Sequence, residues 1–146
     1  MLDAPVVPNV PRLMRIIHAA LLGGSTVAGI VLAIVRSVAA LPPFAGGPML
    51  GYGISGAALL LLAAATLGVR PRLPERQPGQ AADAYWTPAN TRLSAIFLWA
   101  GIEGAGLFSW VGYFLTGNLA DAVTGVIALL VLYSCRPSTI EGERAA

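Results

Sequence analysis

The chain of 146 residues has no lysine, one cysteine, one histidine, and only 11% charged side chains. Soluble domains carry about 25% charged residues, so so low a fraction argues against a water-exposed surface. A single thiol, Cys135, excludes an internal disulfide and any multi-cysteine metal site within the chain. The sparse charge also removes the usual materials of catalysis. No Ser/His/Asp set, phosphate-binding loop or metal-ligand cluster is legible, so no cofactor is indicated by motif and no enzyme is expected.

What the chain does contain is apolar surface: 56% hydrophobic residues and a mean hydropathy of +0.73. Spans of about 20 apolar residues each are long enough to cross a bilayer. The pattern predicts an all-α, integral membrane four-helix bundle with spans at about 13–35, 49–69, 93–115 and 117–135. The chain then forms one domain with a proline-rich lead-in (1–11), a polar loop (70–92) and a polar tail (136–146). A cleavable signal reading of the first segment competes through Ser37-Val38-Ala39. Its apolar run of about 20 residues exceeds the 7–15 of a signal core, which favours a span.

The breaks between spans have local causes. Pro42-Pro43, Gly46-Gly47 and Pro48 interrupt the first connection, while Pro71, Pro74, Pro78 and Pro88 exclude a continuous helix through the second. Thr116-Gly117-Asn118 reads as a tight turn, making the last two spans an antiparallel hairpin. Tyr85 and Trp86 are expected at headgroup level.

Arginine placement predicts orientation. With four alternating spans, Arg12, Arg15, Arg70, Arg72, Arg76, Arg92, Arg136 and Arg144 share one side, and Arg36 stands alone on the other. That asymmetry places both termini in the cytoplasm and the protein in an inner (cytoplasmic) membrane. The positive charge therefore answers the bilayer, and nucleic acid is not an expected partner.

Small residues at steps of four (Ala20, Gly24 and Ala28; Gly53 and Ala57; Ala64 and Gly68) permit close helix approach. They suit packing within the bundle, with other membrane subunits, or in a homo-oligomer. Gly51-Tyr52-Gly53-Ile54-Ser55-Gly56 matches G-x-G-x-x-G but opens an apolar helix without a preceding strand, so a dinucleotide site is not implied.

Three titratable residues stand out. Glu103 lies eleven residues beyond Arg92, about 16 Å along a helix and near mid-bilayer. An ionised carboxylate there costs several kcal/mol, so it must be neutral or paired. Ser25, Thr26, Ser55 and Ser109 are its expected hydrogen-bond partners, within a face that buries it. It is the candidate proton or ion site, or an interhelical hydrogen bond. Asp121 is expected to cap the last span or to be hydrated. His18 is expected as an interfacial polar residue, with ligation of a haem or pigment metal as its alternative. Trp99 and Trp110 read as packing residues, and Cys135 stands where lipidation is conceivable.

The stretch from Ala100 through Glu103 to Phe108, continuing as Gly112-Tyr113-Phe114-Leu115-Thr116-Gly117, resembles small uncharacterised bacterial four-helix membrane proteins. That resemblance implies the fold and names no activity. Residues 51–115 also resemble, distantly, the rotor-ring proteolipid of ATP synthases. Gly51, Gly53 and Gly56, then Arg76-Gln77-Pro78, then Glu103 follow the same order, here with a longer loop and two flanking helices. The functional expectation is a non-enzymatic multi-pass protein, free-standing or an accessory subunit. Its alternative is proton- or cation-coupled transport through Glu103.

Overall fold

A computed structural model describes residues 9–42 and 46–142. Among these the chain is entirely helical: α1 (Val10–Ala39), α2 (Gly47–Ala63), α3 (Ala82–Trp86), α4 (Ala89–Thr116), α5 (Leu119–Ser134) and α6 (Pro137–Ile140). The lead-in prediction lies mostly outside the described residues; Val10 and Pro11 already belong to α1. The Asn9 side chain accepts from the Arg12 amide at 3.1 Å, and Pro11 occupies the first turn, where its missing N–H costs nothing.

The helix reaching Arg36 runs on to Ala39, and Ala40 ends it with φ 45°. α2 also outruns its predicted end. It continues as a π-helical stretch, Ala64–Val69, and a 3-10 turn, Arg70–Arg72. Thr66 Oγ1 donates to the Leu62 carbonyl at 2.8 Å, and the Arg70 amide reaches back to Ala65 O, the wider step of a π turn. The prolines therefore end the helix later than the loop prediction placed it. Three helices are long and apolar enough to cross a membrane: Val10–Ala39, Gly47–Arg72 and Ala89–Thr116. The fourth predicted span is the shorter apolar helix Leu119–Ser134, of 16 residues, about 24 Å at 1.5 Å per residue.

α4 is the hub. It packs on α1, α2 and α5, and both α1 and α2 also touch α5. The α4–α5 hairpin closes as predicted: Gly117 takes φ 68°, its amide donates to Tyr113 O at 2.8 Å, and Asn118 caps α5 by accepting from the Ala120 amide. A side chain at Gly117 would be strained by that backbone and would collide with the Arg36 guanidinium.

Glycine also sets the interhelical distance. A Cβ at Gly29 would stand 2.5 Å from the Trp110 ring, and one at Gly125 would stand 2.8 Å from it. The indole is held between α1 and α5 because neither backbone carries a side chain there. Conversely, Gly53 and Gly68 have nothing within 4 Å of that position. The small-residue stripe of α2 that contains them is on the outside, so the expected close approach within the bundle happens elsewhere.

α5 is shorter than the helices beside it. It stops at the level of Trp99, whose Nε1 donates to Cys135 O at 2.7 Å. Two helical turns of α4 would be uncovered below that point. α3 and the returning tail fill the space: Tyr85 and Trp86 are 2% and 0% exposed, and Glu141 is 2% exposed. Both rings belong to the core.

Polar side chains are buried alongside the apolar core, while the exterior is rich in exposed apolar side chains. His18, Ser25, Ser55, Thr91, Ser109, Thr116, Asp121 and Thr124 are buried, whereas Leu60, Leu67, Phe97, Leu119 and Leu130 each expose more than half of their surface. A water-soluble bundle reverses that arrangement. An exterior of this kind is compatible with lipid.

Candidate functional site

The three titratable residues singled out from the sequence are in three separate places. Asp121 is fully buried near the Asn118 end of the bundle. Its Oδ1 accepts from Ser55 Oγ at 2.5 Å and its Oδ2 from Thr116 Oγ1 at 2.9 Å. It therefore neither caps α5 nor is hydrated, as the sequence led one to expect. Asn118 takes the cap, and Asp121 lies three residues on, where its side chain turns inward between α2 and α4. Gly112 makes room: a Cβ there would meet Asp121 at 3.1 Å and Ile54 at 2.5 Å.

His18 is also inside, 5% exposed. Its Nε2 is 2.9 Å from Leu132 O, and since a carbonyl only accepts, Nε2 carries the proton and donates. The Trp99 ring stands edge-on to the imidazole at 5.1 Å. The imidazole thus lies inside the bundle, and the Nε2 that donates to the carbonyl is not free to bind a metal in this arrangement. Cys135 is 2% exposed, an environment that does not favour the lipidation considered for it. No group of three or more His, Cys, Asp and Glu suited to a metal is found among the described residues.

Glu103 differs from both. It is half-buried, and its neighbours along the helix edge, Ala100 and Gly104, are exposed. The prediction that its face would be sealed inside the bundle is overturned. The buried arc of α4 runs through Leu98, Trp99, Ile102, Ala105 and Gly106, and Glu103 stands at its rim. Nor do its expected partners reach it. Ser55 is committed to Asp121 and Thr26 to Leu22 O. Ser25 and Ser109 have no hydrogen-bond partner. Among the described residues Glu103 thus has no donor or cation of its own, while Gly104 beside it has open space where a Cβ would be.

A second constellation, which sequence reasoning missed, lies at the arginine-rich end. Glu141 Oε1 accepts from Trp86 Nε1 at 2.7 Å, and its Oε2 is 3.5 Å from Arg15 Nη2. Beside it a cavity of about 600 Å³ is lined by Arg70, Glu75, Arg76, Tyr85 and Thr139 among others. Tyr85 Oη donates to Pro74 O at 2.9 Å. Burial, and then the Glu141 carboxylate, raise the Tyr85 phenol above its ordinary value. No pattern announces this cluster, because residues from the lead helix, the polar loop and the tail meet only when the tail folds back.

No family model, curated protein or solved structure matches the chain.

Proposed function

We propose that this is a non-enzymatic, four-span membrane protein that works as a subunit of a membrane assembly, docking through the Glu103 face of α4. The carrying observation is that Glu103 stands partly exposed at the bundle rim without a partner, while Asp121 and Glu141, the other buried carboxylates among the described residues, are bonded. A carboxylate at mid-bilayer depth needs a donor. Exposed Ala100 and Gly104 beside it let a neighbouring backbone approach closely enough to supply one.

The remaining chemistry supports a structural role. Ser55, Thr116 and Asp121 satisfy one another at one end, and His18 is bonded to a carbonyl towards the other, so in this reading these polar groups tie helices together. The fourth span in this reading is α5, extended by α6. The arginine asymmetry orients both termini to the cytoplasm.

Purification of the native protein in mild detergent, followed by mass measurement, tests the assembly. The expected result is a fixed stoichiometry above one chain that Gly104→Leu and Glu103→Gln each disrupt. A single monodisperse chain, unchanged by both substitutions, overturns it.

The openness of Glu103 also favours a second reading, in which it takes up a proton or cation. Liposomes containing wild-type protein should then carry an ion flux that Glu103→Gln abolishes, and equal flux in both eliminates this reading.

A further inference from the structure

The cavity at the arginine-rich end has the construction of a phosphate site built against a lipid phase. Its cationic side comes from Arg70 and Arg76, opposed by a single carboxylate, Glu75. Arg76 is anchored: its Nε donates to Gln80 O at 2.6 Å. That bond uses one edge of the guanidinium and leaves the two terminal nitrogens for a ligand. Arg70 arrives through the π turn of α2, which advances the last turn of the helix before Pro71 ends it. Thr139 and Ile140, from α6, also line the cavity.

The lining also includes apolar side chains, among them Leu73 and Ile140, beside the Tyr85 phenol. α2 reaches the cavity with Leu60 and Leu67 on its outer surface, 74% and 77% exposed. A soluble anion has no use for such an approach. A molecule with a phosphate head and hydrocarbon chains uses both parts: arginines pair with phosphate oxygens, and the chains lie along α2.

We propose that this cavity holds the phosphate headgroup of an anionic phospholipid. The proposal does not depend on the Glu103 face. It depends on the α2 terminus lying at a membrane boundary.

Native mass spectrometry of the full chain in nonionic detergent tests it, with dioleoyl phosphatidylglycerol, dioleoyl phosphatidylcholine or inorganic phosphate added separately. Wild type should retain phosphatidylglycerol over phosphatidylcholine by about tenfold or more. The double substitution Arg70→Gln/Arg76→Gln should remove that preference. Arg92→Gln, outside the cavity lining, should keep it. Thr139→Trp, which fills the cavity and preserves its charge, should also lose the lipid, and helical circular dichroism verifies that each variant is folded.

Equal retention of the two lipids by wild type overturns the proposal, as does unaltered retention by the double variant or by Thr139→Trp. Retention of inorganic phosphate without a lipid preference replaces the lipid by a soluble phosphate compound and overturns it too. Glu103→Gln should leave the lipid preference intact even if it disperses the assembly, so the two readings fail separately.

Discussion

Ser55 on α2 and Asp121 on α5 are 66 residues apart, and the serine hydroxyl donates to the aspartate Oδ1 at 2.5 Å. Thr116, in the last turn of α4, donates to the other oxygen. One carboxyl group thereby ties three helices at the end of the bundle opposite the arginines. Removing it leaves the Ser55 hydroxyl buried without its acceptor, while Thr116 Oγ1 keeps the Gly112 carbonyl at 2.9 Å. Asp121→Ala is expected to destabilise the bundle by about 1–2 kcal/mol. Asp121→Asn should cost less, since its amide oxygen still accepts. Unfolding in mixed micelles of increasing dodecyl sulfate content measures both.

Glu103→Gln should leave the isolated chain's stability within about 0.5 kcal/mol of wild type, because no bond within the chain is lost. The same micelle titration checks it. A large loss would mean that the carboxylate holds the fold, contrary to its open position at the rim.

Gly29→Val should destabilise by about 1–3 kcal/mol, since the added side chain is driven into the Trp110 indole. Trp110→Leu in the same chain should recover part of that loss, and a double-mutant cycle reads the coupling.

The tail is held by a bond whose loss should be local. Glu141→Ala strands the buried Trp86 N–H and removes the Arg15 pair, so residues 137–142 should exchange their amides faster. The cost of opening them should fall by about 1–3 kcal/mol. Hydrogen exchange read by mass spectrometry measures this segment directly.

Tyr85 makes stability depend on alkaline pH. Its phenol has a higher pKa folded than unfolded, through burial first and Glu141 second. Below the unfolded value of about 10 both states hold the proton and the stability contribution is complete. As pH rises past that value the unfolded chain ionises first, so stability falls until the folded pKa is passed. Absorbance at 295 nm should show a late tyrosinate phase that Tyr85→Phe removes.

The helix content, the three long apolar segments and the α4–α5 hairpin were legible in the order of residues. Each rests on short-range physics. Apolar run length predicts a segment long enough to cross a membrane, proline breaks a helix, and Gly117 supplies the left-handed residue that closes the turn. The environment of the acids was not legible. Glu103 and Asp121 both interrupt apolar helices, and their depths along those helices suggested that Glu103 would be enclosed and Asp121 wet. Asp121 is instead fully buried and Glu103 stands at the edge of the buried arc, because burial depends on which arc of a helix its neighbours cover, and those neighbours are distant in the chain.

The same distinction applies at the arginine-rich end. Composition alone determined that this chain is helical and apolar on its outside, since too little charge exists to cover a surface facing water. The sequence already made the last span the shortest; tertiary structure alone decided that Tyr85, Trp86 and Glu141 fill the remaining space and that Arg70, Arg76 and Thr139 line one cavity. The reason is geometric: helices of unequal length packed side by side leave uncovered apolar surface, and whichever segment can return to cover it does so.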